Sequence, residues 1–243
     1  MKKVQFIPIM VLLLFLTALS TLSSGCQYLD SISGNGNVIK QNRPVGTFDA
    51  LDVSSAFDIF ITQGSSPALT VEADENLLPY IRTDVVGNTL KIETSKSIRH
   101  SHSLKVYVTV VTLRDIGISG AVTLNSENKI SGQELTISCS GASEADLELA
   151  YERLSMDCSG ASKLKLAGTV SQVRLDFSGA SELRAFNLVA DNMDIDVSGA
   201  GEADVNVLKN LNVDISGAAD VRYKGTPQIN QHISGAGSLR KAD

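Results

Sequence analysis

The tripeptide Ser-Gly-Ala occurs seven times in this chain, beginning at Ser119, Ser140, Ser159, Ser178, Ser198, Ser216 and Ser234. Consecutive copies lie 21, 19, 19, 20, 18 and 18 residues apart. A period near 20 sustained in this way marks a stacked repeat, in which each unit buries its apolar face only against its neighbours. This single feature constrains shape far more than activity, because a repeat specifies a scaffold and function resides in sites carried on it.

Superposing the copies shows what each unit buries. Five residues before the serine stand Leu135, Leu154, Val173, Met193, Leu211 and Ile229, and three before it Ile116, Ile137, Met156, Leu175, Ile195 and Val213. Directly before it come Ile118, Cys139, Cys158, Phe177, Val197, Ile215 and Ile233. A period of two is a strand with one buried face. The intervening positions are polar and include Asp157, Asp176, Asp196 and Asp214. After the motif the alternation resumes, with Ala145, Leu164, Leu183, Ala203, Val221 and Leu239 inward, and Asp146, Lys165, Arg184, Asp204, Arg222 and Arg240 outward. Between the two strands the chain must turn a corner, and glycine reaches positive φ without a Cβ penalty. Gly120, Gly141, Gly160, Gly179, Gly199, Gly217 and Gly235 are therefore predicted as structural corners. Strand, glycine corner and strand at this period predict an all-β fold, a parallel β-helix whose coils stack at roughly 4.8 Å.

The remainder of the chain divides around this repeat. Lys2 and Lys3, the apolar run 6–16 and Leu22-Ser23-Ser24-Gly25-Cys26 read as a signal peptide over residues 1–25. The pattern resembles a bacterial lipoprotein signal, with Cys26 lipidated and Ser23 standing where leucine is usual; an ordinary secretory signal is the alternative. The run is shorter than the ~20 apolar residues of a membrane span. Residues 26–37 are polar and Gly/Ser/Asn-rich, and read as a tether rather than a phosphate loop. Residues 38–243 form one domain, with irregular N-terminal strands over 38–112 continuous with the Ser-Gly-Ala coils over 113–243. Within the first part a short helix is expected over 77–82, a hairpin around Gly87-Asn88, and a strand from Leu104. In the last copy Pro227, Gln231 and His232 break the pattern, as a terminal cap would.

The stretches Ile32-Ser33-Gly34-Asn35-Gly36-Asn37-Val38, Phe48, Leu51-Asp52-Val53-Ser54 and Phe57-Asp58-Ile59-Phe60-Ile61-Thr62-Gln63-Gly64, together with the Ser-Gly-Ala copies, resemble the head GIN domain family of auto-transporter adhesins. The resemblance covers roughly residues 33–238. It implies a right-handed parallel β-helix in an envelope lipoprotein of Bacteroidetes-like bacteria, and it brings no catalytic residues.

Composition and motif geometry narrow the chemistry. Net charge is −6 and the pI is near 5.1, with no basic stripe, which argues against nucleic acid. Aromatics make up 5% and tryptophan is absent, so the core is predicted as aliphatic ladders. Cys139 and Cys158 share one inward position a coil apart and are read as two buried thiols rather than a bridge. Serine hydrolysis would need one activated serine beside a histidine, yet His100, His102 and His232 do not recur with the motif. His100-Ser101-His102 is read as an exposed loop rather than a metal site. The file Asp157, Asp176, Asp196 and Asp214 could attract a cation, against a simple solvated ladder. No cofactor and no catalytic residue is expected. The chain thus reads as a non-enzymatic outer-membrane lipoprotein, held to the membrane by its lipid, whose periplasmic or surface face binds an unidentified polysaccharide or protein. The alternatives are a periplasmic sensor or assembly factor and, less favoured, a glycan-active enzyme.

Overall fold

The computed structural model describes residues 31–242. The signal segment 1–25, Cys26 and the first residues of the expected tether lie outside them. The chain is almost entirely strand: β1 (Ser31–Ser33), β2 (Val38–Arg43), β3 (Ala50–Ser55), β4 (Asp58–Gln63), β5 (Ala68–Asp74), a 3-10 helix (Glu75–Tyr80), β6 (Ile81–Val86), β7 (Thr89–Thr94), β8 (Ser97–His100), β9 (Leu104–Val110), β10 (Asp115–Gly120) and β11 (Thr123–Ser126). There follows one unbroken extended run, β12 (Ile130–Lys224), and then β13 (Gln228–Gly235) and β14 (Ser238–Lys241). β12 holds the five central copies of the repeat. The expected short helix is thus a 3-10 turn shifted toward Asp74, with Pro79 inside it.

Copies of the repeat stack in parallel register. β10 lies on β12 with Ile116 beside Ile137, Ile118 beside Cys139 and Gly120 beside Gly141. At the other end of the run Leu211 pairs with Ile229, Ile215 with Ile233 and Gly217 with Gly235. The alternating apolar residues fall inward as their period requires: Leu135, Ile137, Leu154, Met156, Leu175 and Ile195 are all buried. Burying such side chains contributes roughly 1.5–3 kcal/mol each, which is what holds rungs together where no helix covers them. Cys139 and Cys158 are buried free thiols in this core.

Two expectations need correction. The sheet is open and mixed rather than parallel throughout: β2, β5 and β9 pair antiparallel, as do β6 and β7, while β3, β4 and β10 to β14 pair parallel. The β6–β7 pair is a local hairpin closed by the Gly87-Asn88 turn, whereas β5 enters between β2 and β9 over longer connections. Secondly, residues 31–37 do not behave as a tether. β1 pairs with β8, the Gly34 amide donates to the His100 carbonyl at 2.7 Å, and the Gly36 amide donates to Asp74 Oδ1 at 2.6 Å.

The repeat also extends further toward the N-terminus than its motif. β3 lies on β10 with Ser54 beside Ser119 and Ser55 beside Gly120. Ser54-Ser55-Ala56 is therefore a hidden copy. Ser55 is the one non-glycine residue with positive φ, at 89°, among the described residues. The last copy closes the core less fully than a cap would: Ile229 is 37% exposed, where its neighbour Leu211 is 0% exposed.

Candidate functional site

The register builds one long outward face. One residue beyond each inward Ala145-type position, and across the N-terminal strands, side chains line up in a file: Asn42, Thr70, Tyr107, Phe60, Asn125 and Asp146, then Lys165, Arg184, Asp204, Arg222 and Arg240. A parallel file runs beside it through Lys40, Glu72, Lys105, Asp58, Thr123, Glu144, Lys163, Glu182, Glu202, Asp220 and Ser238. At roughly 4.8 Å per strand these files extend about 48 Å.

The charges on this face are largely paired across rungs. Lys165 Nζ donates to Asp146 Oδ2 at 2.6 Å, and Arg222 reaches Asp204 through two bonds of 2.7 and 2.8 Å. Lys129 lies 3.2 Å from Glu148. Arg184 pairs with Glu182 on its own rung. Such exposed pairs contribute only about 0–1 kcal/mol each, so their regularity is not explained by stability. A groove of about 390 Å³ opens in the middle of the face, lined by Thr123, Asn125, Glu144, Asp146, Lys163, Lys165, Glu182 and Arg184.

At its N-terminal end the face becomes aromatic. The Phe60 and Tyr107 rings stack with centroids 5.1 Å apart, and Lys40 Nζ sits 4.7 Å from the Tyr107 centroid. Glu72 organises this corner, accepting from Ser103 Oγ at 2.8 Å and Tyr107 Oη at 3.2 Å and pairing with Lys40 at 3.3 Å. The Ser103 bond above all, aided by Lys40 and Tyr107, holds its carboxyl below the usual carboxylate range despite an opposing push from burial. Sequence reading did not single out Phe60, Tyr107 or Glu72. The usable signal was the alternation of Phe57 to Ile61, which turns Phe60 outward, where a large aromatic is unusual.

The residues expected to carry a site fall as follows. Asp157, Asp176, Asp196 and Asp214 stand in one file, which ends on His232 beside Asp214. Three of the four are exposed and Asp176 is half-buried. Beside them Asn212 Nδ2 donates to Asp194, and Arg174 lines the same shallow groove as Asp194 and Asp196. Among the described residues no three His, Cys, Asp or Glu side chains converge on a point fit for a metal ion.

Of the corner glycines, Gly120, Gly141, Gly160, Gly179 and Gly235 have positive φ. Gly199 and Gly217 do not; there the need for glycine is the close approach of the preceding rung's carbonyl. The repeated serines point at their neighbours, Ser140 Oγ donating to the Ile118 carbonyl and Ser159 Oγ to that of Cys139, at 3.4 and 3.5 Å. His102 Nδ1 lies 3.0 Å from Asp74 Oδ1, so it serves the N-terminal turn. The Gln63 side chain of the Ile-Thr-Gln-Gly stretch is a staple, donating to the carbonyls of Val111 and Ser131 and accepting from the Ser131 amide and hydroxyl. Among the described residues no helix is long and apolar enough to cross a membrane.

A family model described as putative auto-transporter adhesin, head GIN domain, matches residues 47–227. Among solved structures, a putative adhesin from Bacteroides fragilis is similar at a TM-score of 0.83 and 25% identity, over 87% of this chain and 100% of its own. A putative adhesin from Parabacteroides merdae aligns at a TM-score of 0.67 and 21% identity, covering 88% of this chain and 100% of its own. A putative lipid binding protein from Parabacteroides distasonis aligns at a TM-score of 0.64 and 23% identity, with the same coverage of 88% and 100%. At the lower identities the likeness concerns the fold alone. No curated protein matches the chain significantly.

Proposed function

The chain belongs to the family of putative auto-transporter adhesin, head GIN domains, and we propose that it is a non-catalytic binding module of the cell envelope. In this reading the stacked copies form a right-handed parallel β-helix that displays its long outward face to an extended polysaccharide or protein. The signal peptide 1–25 is removed, Cys26 carries the lipid, and the module stands on the outer membrane. The observation that carries the proposal is the face itself: two continuous files crossing eleven neighbouring rungs, from β2 to β14, without interruption by a loop or a helix. A surface of that kind suits a polymer, whose repeating units meet repeating side chains. An enzyme of this architecture would be expected to gather a non-repeating acid and base in a cleft; here the carboxylates are spread evenly along files.

Protease shaving of intact and lysed cells, with immunodetection of the chain, tests the display. Loss from intact cells supports a surface binding module. Protection until lysis favours the periplasmic sensor or assembly role, whose supporting observation would be a co-purified membrane partner. A strain lacking the protein should then adhere less to polysaccharide- or protein-coated surfaces than the complemented strain. Unchanged adhesion on every surface would remove the binding-module reading.

A further inference from the structure

We infer that the groove beside Phe60 is a subsite for an uncharged sugar unit; this rests on the binding-module reading and names its ligand class. Three observations converge there. First, the lining carries three carboxylates, Glu144, Asp146 and Glu182, and three cations, Lys163, Lys165 and Arg184. Lys165 is bonded to Asp146 and Arg184 to Glu182, so the groove offers no net field to a polyanion or a polycation. It offers instead a dense set of fixed donors and acceptors, of the kind that vicinal hydroxyls can engage in pairs.

Secondly, the files carry short uncharged side chains at Thr123 and Asn125, between Glu144 and Asp146 on one side and Asp58 and Phe60 on the other. Thirdly, an aromatic ring stands one strand beyond the gap. Phe60 is the register neighbour of Asn125 on one side and of Tyr107 on the other. Tyr107 stacks on the Phe60 ring and Lys105 Nζ lies 6.0 Å from its centroid, while on the other side its register neighbour is the short Asn125. A pyranose ring presents an apolar C–H face and a hydroxyl edge. Against Phe60 the first finds a platform and against Glu144, Asp146 and Lys163 the second finds partners. A charged polymer would have to break the existing ion pairs to gain its own.

The test is calorimetric titration of the full mature protein with laminarin, yeast mannan and dextran as neutral probes and heparin as polyanion, at rising NaCl. At least one neutral glycan is expected to bind with an affinity that salt leaves unchanged. Phe60→Ala should weaken that binding roughly fivefold to tenfold. Asn125→Arg, which fills the gap from a half-buried outward position and spares the aromatic pair, should weaken it at least as much while leaving the thermal midpoint in place. Binding of heparin alone, falling with salt, would overturn the inference, as would neutral binding indifferent to both variants. If no glycan binds while adhesion of cells still depends on the protein, the sugar subsite is excluded and the binding module stands. If adhesion is also independent of it, both fail.

Discussion

Gly160 shows at the scale of one residue how the stack enforces its own sequence. Its φ is +100°, and a Cβ placed on it would meet the carbonyl oxygen of Gly141 at 2.5 Å. A β-branched side chain there faces a disfavoured backbone region and a steric block from backbone that cannot move aside. Gly160→Val is expected to cost about 3 kcal/mol or more. Asp176→Asn, on the outward file, should stay within about 0.5 kcal/mol and can stabilise by reducing like-charge repulsion. Thermal melts giving the reverse order would contradict the register. Ser55 poses the complementary case, since it holds the corner of the hidden copy at φ 89° with its hydroxyl 2.9 Å from Thr94 Oγ1. Replacing it by glycine relieves a left-handed strain of about 1–2 kcal/mol and loses one hydrogen bond of about 1 kcal/mol. A midpoint equal to or slightly above that of the parent is expected; a large drop would show that the corner does not need glycine-like freedom. These two residues also show what could be read in advance. Seven corners were legible because glycine announces them. The copy at Ser54 was not, because serine stands at its corner and 65 residues separate it from the next motif serine.

At the scale of elements, the N-terminal turn is held by a single buried carboxylate. Asp74, fully buried at the end of β5, accepts from the Gly36 amide at 2.6 Å, the His102 amide at 2.8 Å and His102 Nδ1 at 3.0 Å. Burial pushes its carboxyl up, but these bonds and the neighbouring imidazole outweigh that and hold it below the usual carboxylate range. A carboxyl depressed in the folded state contributes stability that is present above its unfolded pKa and lost as pH falls through its folded pKa. Acid should therefore release residues 31–37 and the β1–β8 pair before the stacked copies. Protection factors of the Gly36 and His102 amides, falling on acidification ahead of those of amides in β12, check this. In Asp74→Asn the same amides should be less protected at neutral pH, with protection that no longer changes with pH; an unchanged profile would assign the lock to other groups. The turn was misread as tether because its Gly/Asn/Ser composition suits either state, and the residue that decides lies 38 positions away. The Gln63 staple was invisible for the same reason: its partners, Val111 and Ser131, are joined to it only by the fold. Gln63→Ala should cost about 1–2 kcal/mol and speed proteolysis near Asn128, whose side-chain amide bonds the Gln63 main chain in both directions.

For the whole molecule, near-equivalence of the rungs is the property from which display follows. If stability is a sum of neighbour interfaces, one copy can be removed without loss of the fold, provided that the cut preserves both the inward alternation and the corner. Deleting residues 159–177 joins Cys158 to Ser178 and brings Gly179 onto Gly141, each in the place its predecessor held. The inward residues remain inward, and the two outward files close up by one rung. The shortened protein is expected to fold, with a similar circular dichroism per residue and a scattering envelope shorter by about 4.8 Å. Deleting only ten residues, 159–168, removes one corner while leaving half a rung, so that no glycine meets the oncoming carbonyl and the second strand has no partner of matching length. That variant should fail to fold. Should the ten-residue deletion fold as well as the nineteen-residue one, the rungs would not be the unit of stability and the β-helix reading would fall. The same pair of variants bears on function. The shorter face retains Phe60, Asn125, Glu144 and Asp146 but replaces Lys163 and Lys165 by Glu182 and Arg184, so a polymer that reads only the aromatic end should bind nearly unchanged. One that reads the whole length should lose affinity with every rung removed.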